Sequence, residues 1–260
     1  MQFPFTLEQV QTFTMIFIRT GSILFSIPIF GSENIPRTSK VGLALALSWI
    51  IFPAVPIAGE LQSLSLIQLI PVIVAEIMIG IIIGFIGRLI FEGIQLGGQL
   101  TGFQMGFGIV NVMDPLTGAN FSIIAQFQNL LAILLFITLN LHQVFFQAIA
   151  MSFVKIPIFH CYLSDQLFEW VIGLSSNIFI IAVKVAAPVM AANLFVTVTL
   201  GIMNKAVQQM NVMIVGFPLK IAVGLLAIGL TMPVFGLVVK KNFSHMGEYI
   251  NVVLNAGYLP

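Results

Sequence analysis

The stretch from about residue 64 to about residue 96 constrains this chain more than any other. It is almost wholly apolar, and its charges are Glu76, Arg88 and Glu92. Roughly 20 apolar residues suffice to cross a bilayer as a helix, and this run is longer. No period-two alternation breaks it, so helix rather than barrel strand is expected. Composition agrees: 59% of the 260 residues are hydrophobic and 7% charged, with a mean hydropathy of +1.09. Soluble domains run at about 45–50% and about 25%. The expected fold class is all-α, a polytopic helical membrane protein.

About six hydrophobic helices are expected. They lie near 10–30 (interrupted by Arg19), 41–57, 64–96, 123–146, 178–200 and 221–239. The N-terminus has neither a basic region nor a small-x-small cleavage site, so no removed signal peptide is expected. Residues 93–120 are apolar but Gly-rich, with Asp114-Pro115 near their end. They predict irregular backbone at membrane depth, which protein or a water-filled cavity must cover. The 147–172 region, with Lys155, His160, Asp165 and Glu169, reads as a mostly extramembrane connection. Orientation is divided. Arg37 and Lys40 in the first loop, with Lys205 and Lys220 beside the fifth helix, favour the cytoplasm, whereas Lys240 and Lys241 fall on the other side.

Ten basic against nine acidic residues leave no electrostatic footprint for nucleic acid. Cys161, the single cysteine, excludes an intrachain disulfide and a cysteine metal cluster. His142, His160 and His245 are scattered. No His-Glu-x-x-His, Gly-x-Ser-x-Gly or phosphate-loop pattern occurs, and Asp114 lacks a second carboxylate. The chain is expected not to be an enzyme, with no cofactor and no metal.

The informative residues are glycines and the few charges. Gly80 and Gly84, then Gly93 and Gly97, then Gly98, Gly102 and Gly106 recur at four-residue spacing. That spacing lets another backbone approach closely, either at a subunit-packing surface or within the chain. Arg19, Glu76, Arg88, Glu92 and Lys184 fall within apolar segments, where charge is costly and is expected to be buried against a partner or a polar path. Arg88 and Glu92 also suit an i,i+4 pair, and Arg19 and Lys184 also suit snorkelling. Pro188 and Pro233 should kink the last two helices.

Two segments carry a family pattern. One is Gly102-Phe103-Gln104-Met105-Gly106-Phe107-Gly108-Ile109-Val110-Asn111-Val112-Met113-Asp114-Pro115. The other is Gln208-Gln209-Met210-Asn211-Val212-Met213-Ile214-Val215-Gly216-Phe217-Pro218-Leu219-Lys220-Ile221. Both resemble the FliR family, the R components of flagellar type III export gates. Asn140-Leu141-His142 and Ile35-Pro36-Arg37 are similar to further family motifs. The resemblance covers essentially the whole chain.

It implies a non-catalytic, pore-forming subunit of the inner membrane at the flagellar basal body. Its partners would be P and Q subunits, other export-gate membrane proteins, membrane lipid and unfolded flagellar proteins in transit. It also implies a P-like part over 1–146, a connection over 147–174 and a Q-like helical hairpin and tail over 175–260. The hairpin turn would include Gly216, Phe217, Pro218 and Lys220, with Lys220 either contacting a gate protein or capping a helix end. By resemblance the family's pore-closing plug maps to about 102–120. The residues lead to the same place, because the glycines permit unusual backbone angles and the Phe, Met, Ile and Val side chains can form a deformable apolar seal. A buried loop that only packs is the other reading. A secondary transporter is the alternative function, although the two halves show no internal repeat. An injectisome subunit would share the mechanism with different substrates.

Overall fold

Thr6 starts the first helix, α1 (Leu7–Ser26). Its hydroxyl accepts from the Gln9 N–H, and the Gln9 side chain accepts from the Thr6 N–H at 3.0 Å, closing a capping box. Pro28 disfavours helical backbone at Ile27, whose ψ is 129°, so α1 stops there. A single helical turn, Pro28–Gly31, follows. The buried positions Thr12, Met15, Ile16, Arg19, Thr20, Ile23 and Leu24 recur every three to four residues along one face.

The computed structural model describes residues 6–32, 35–57, 66–108, 122–159, 165–206 and 212–257. After α1 come α2 (Arg37–Ile51), α3 (Leu66–Gln104), α4 (Ile123–Thr138), α5 (His142–Lys155), α6 (Asp165–Ala206), α7 (Val212–Ser244) and α8 (Met246–Ala256). No strand occurs among the described residues. The chain is an all-α membrane protein.

Several boundaries differ from expectation, each for a local reason. Arg37 and Lys40 open α2 rather than occupying a loop; Lys40 donates to the carbonyls of Gly31 and Ser32 at 3.1 and 2.8 Å, closing the preceding turn. Helix α3 runs to Gln104 instead of yielding to irregular backbone at Gly93, because its glycines are notches filled by neighbouring helices. The fourth segment is two helices, broken at Asn140, whose φ is 54°; Asn tolerates the left-handed region better than most residues. Most of the supposed 147–172 connection is helical, forming the end of α5 and the start of α6. Helix α8 was not expected. Its buried Met246, Ile250, Val253 and Leu254 share one face, and α5 contributes Lys155, whose ammonium lies 2.8 Å from Asn255 Oδ1.

Three helical stretches, 67–104, 167–206 and 214–256, are long and apolar enough to cross a membrane. The count becomes four if α4 and α5 form one broken span. The remaining two of the six expected spans fall short. Helix α2 has 15 residues, about 22 Å against a hydrocarbon core of about 30 Å, and α1 carries Glu8, Arg19 and several Gln and Thr.

The described helices fall into two compact units. The first holds α1, α2, α3 as far as Leu89, α5, the start of α6 and α8. Its interior centres on Ile16, Ile23, Ile83, Phe145 and Ile149. The second holds α3 from Ile90, α4, α6 from Ser176, and α7. There Phe91, Phe136 and Phe243 form a ring triangle with centroids 5.4–5.8 Å apart. Met105, Ile124, Val189 and Ile228 form a second buried cluster.

Candidate functional site

Arg19 and Glu76 come together at the centre of the first unit. They are 0% and 1% exposed. Arg19 Nε and Nη2 grip the two carboxylate oxygens of Glu76, the second at 2.9 Å, in the bidentate geometry that makes such pairs strong. Nη1 donates to the carbonyls of Ser152 and Ile156, at 2.9 and 2.7 Å. Those oxygens lie at the C-terminal end of α5, where the helix dipole favours a cation; the Ser152 carbonyl also accepts the Ile156 N–H at 2.9 Å. The Phe153 ring lies 4.4 Å from the guanidinium carbon. One side chain therefore joins α1, α3 and α5.

Of the five charges expected in the interior, these two are buried. Arg88 and Lys184 lie on exposed helix faces and Glu92 is half-buried. The apolar context of a charge marks its depth along a helix, and says nothing of the face it occupies.

The glycine series lines both units from inside. A Cβ on Gly80 or Gly84 would strike α1, at Ser22 and Ser26 respectively. One on Gly93 or Gly97 would come within 2.9 Å of Ile181 or Val185 on α6, and one on Gly98 would strike the Ala125 backbone of α4. At Gly102 it would meet the Ser122 hydroxyl at 2.5 Å. The six glycines expected to serve subunit packing thus admit this chain's own helices.

The contacts of Gly98 and Gly102 make a clasp. Ser122 caps α4 by accepting from the Ala125 N–H at 3.3 Å, and its hydroxyl lies 3.4 Å from the Gly98 carbonyl. The end of α3 and the start of α4 are thereby held side by side.

The exit from α3 is a Schellman turn. Phe107 N–H donates to the Gly102 carbonyl and Gly106 N–H to the Phe103 carbonyl, both at 3.0 Å, with Gly106 at φ 97°. Gly106 is therefore a helix-terminating residue, and a Cβ there would also meet the Phe217 ring at 2.9 Å. Met105 is fully buried in the second unit's cluster and lies beside Gly224 of α7. It anchors the turn. Phe107 is half-buried against the same cluster, Gly108 sits beside the Phe103 ring, and Phe103 is 74% exposed. The other expected plug residues, Ile109, Val112, Met113, Asp114 and Pro115, lie outside the described residues.

The expected hairpin turn near 202–218 is shorter. Helix α6 continues to Ala206 and α7 begins at Val212, so Gly216, Phe217, Pro218 and Lys220 are helical. Gly216 lies beside the Leu200 side chain of α6, and Pro218 stands inside α7. Two buried polar residues escaped the sequence reading. Asn193 on α6 is fully buried with neither amide atom hydrogen-bonded, and Gln128 on α4 has a buried, unpartnered Oε1. Polar amides inside the apolar runs were the available signal.

Among the described residues no cluster of His, Cys, Asp or Glu could hold a metal ion. Residues 10–246 match the family described as bacterial export proteins, family 1. The flagellar biosynthetic protein FliR of Bacillus subtilis (strain 168) is 35% identical over 235 residues, covering 89% of this chain and 90% of that protein. FliR of Buchnera aphidicola subsp. Acyrthosiphon pisum (strain APS) is 30% identical over 253 residues, 95% and 97% of the two chains. FliR of Escherichia coli (strain K12) is 28% identical over 229 residues, 88% and 87% of the two. Matched along nearly its whole length, the chain belongs to bacterial export protein family 1, the family of the FliR proteins.

Proposed function

We propose that this chain is a pore-forming, non-enzymatic subunit of a flagellar type III protein export gate in the bacterial inner membrane. It assembles with P and Q subunits, and unfolded flagellar proteins pass through the assembly. The observation that carries this reading is the match to FliR proteins across nearly the full length of both partners. Deleting the gene should abolish secretion of hook and filament proteins, and the tagged chain should co-purify with P and Q subunits. A deletion strain that secretes both proteins normally would end the reading.

Within that assembly the segment after the α3 turn is the plug. Its support is physical. The Schellman turn at Gly106 redirects the chain, Met105 and Phe107 fix the turn in the second unit's core, and the Gly98–Ser122 clasp holds both ends together. Gly, Phe, Met and Val in such a segment make an apolar closure that excludes ions. The P-like and Q-like division, near 147–174, belongs to the same proposal, with α6 and α7 as the Q-like hairpin.

The anchor residues should be spared in a test of the plug. Removing 109–115 while keeping Met105, Gly106 and Phe107 is expected to make membrane vesicles containing the assembled gate leak small ions. Vesicle conductance equal to that of the intact protein would count against the plug.

A further inference from the structure

Lys184 is a cation with no partner among the described residues, set in one of the most apolar parts of the chain. It lies on α6, about 25 Å from Leu167 and about 33 Å from Ala206 at the rise of a helix. It lines a narrow cleft of the second unit with Gln128, Pro188, Ile228, Thr231 and Phe235. Gln128 is 5% exposed, and its Oε1 has no hydrogen-bond partner. Around the cleft Val183, Leu230, Val234 and Leu237 are exposed. An unpaired ammonium and a buried, unsatisfied amide therefore share one opening on an apolar surface.

Both groups are costly as they stand. A charge at membrane depth is stable when paired, and a buried amide oxygen without a donor carries a desolvation penalty. The described residues supply no carboxylate to the cleft. Glu92 is the one acid among the described residues of the second unit, and it does not line the opening. We propose that this cleft receives the carboxylate of an Asp or Glu on a membrane helix of another export-gate subunit. The Lys184 ammonium would pair with it. The same ammonium, which has three donors, would also supply the buried Gln128 Oε1 with the hydrogen bond it lacks. The surrounding apolar side chains would pack against the partner helix and exclude water, which strengthens the pair. The proposal rests on the reading of the chain as a gate subunit.

The test uses the full chain assembled with its gate partners in native membranes. Dicyclohexylcarbodiimide converts a carboxylate to its O-acylisourea; the amine of a contacting lysine attacks the acyl carbon, forming an amide, and dicyclohexylurea leaves with the former carboxylate oxygen. The expected product joins Lys184 to an Asp or Glu of another subunit, found by mass spectrometry of the digested complex and missing from Lys184→Met. Lys184→Glu should lower recovery of the assembled complex more than about tenfold, as expected for like charges in a desolvated contact. Lys184→Arg, which keeps the charge, should retain most of the complex. Reversing the cross-linked acid to lysine should rescue Lys184→Glu. Full recovery of the complex with Lys184→Glu would overturn the proposal, even if that variant lost bound anionic phospholipid. A cross-link solely to a second copy of this chain would overturn it too. If the unaltered chain assembles with no gate subunit, the gate reading itself fails, and this site with it.

Discussion

Replacing Arg19 or Glu76 with alanine will destabilise the first unit by about 3–5 kcal/mol, the range found when one member of a buried ion pair is removed. Glu76→Ala leaves a guanidinium with no exposed surface and no counter-charge. Arg19→Ala leaves a buried carboxylate, and it also leaves the end of α5 without its donor. The double variant Arg19→Met with Glu76→Met should recover part of the loss, because no charge then remains buried. It should not recover all of it, since the Ile156 carbonyl still lacks the Arg19 hydrogen bond. Lysine at position 19 will not substitute, because a single ammonium cannot form the two-pronged contact with Glu76 while reaching both carbonyls. Thermal unfolding of the purified chain in detergent, together with its steady-state level in membranes, measures the series. An Arg19→Ala protein that melts with the unaltered one would show that the pair contributes little to the fold.

How far the sequence carries is clearest at particular residues. Helix across the long apolar runs is legible, because it depends on neighbours close in sequence. The Arg19–Glu76 pair is not, since 57 residues separate its members and only the packing of α1 on α3 unites them. The glycine series announces close approach without naming the approaching helix, so internal and subunit packing look alike until the neighbours are known. Gly106 illustrates the reverse case. The sequence marks it as conformationally special, and its φ of 97° agrees, but its immediate task is to end α3. Helix α8 went unseen although its apolar face is regular, because a chain this hydrophobic offers little contrast against which a short amphipathic helix stands out.

Bulk at Gly98 will be the most damaging single insertion along α3. A Cβ there would meet the Ala125 backbone, with the Ala125 amide nitrogen at 3.0 Å, and backbone held in a helix cannot move aside as a side-chain tip can. Gly98→Leu must therefore push α4 away from α3, at a cost of about 3 kcal/mol or more, the upper part of the range for overpacked cores. Gly229→Ala makes the contrast. No atom lies within 4 Å of a Cβ at that position on α7, so the change should be neutral or stabilise the helix by up to about 1 kcal/mol. The damage at Gly98 has a functional arm as well. The same approach of α3 and α4 brings Ser122 to Gly98 and Gly102 and holds both ends of the segment proposed as plug. Separating the helices should loosen that closure while α6 still packs at Gly93 and Gly97. Gly98→Leu is thus expected to lower the melting temperature and, in vesicles carrying assembled gates, to raise ion conductance. Gly93→Leu, which presses on α6 instead, should lower stability with a smaller effect on conductance per unit of stability lost. Equal leakage from the two variants at equal loss of stability would separate the clasp from gating and leave it a purely structural contact.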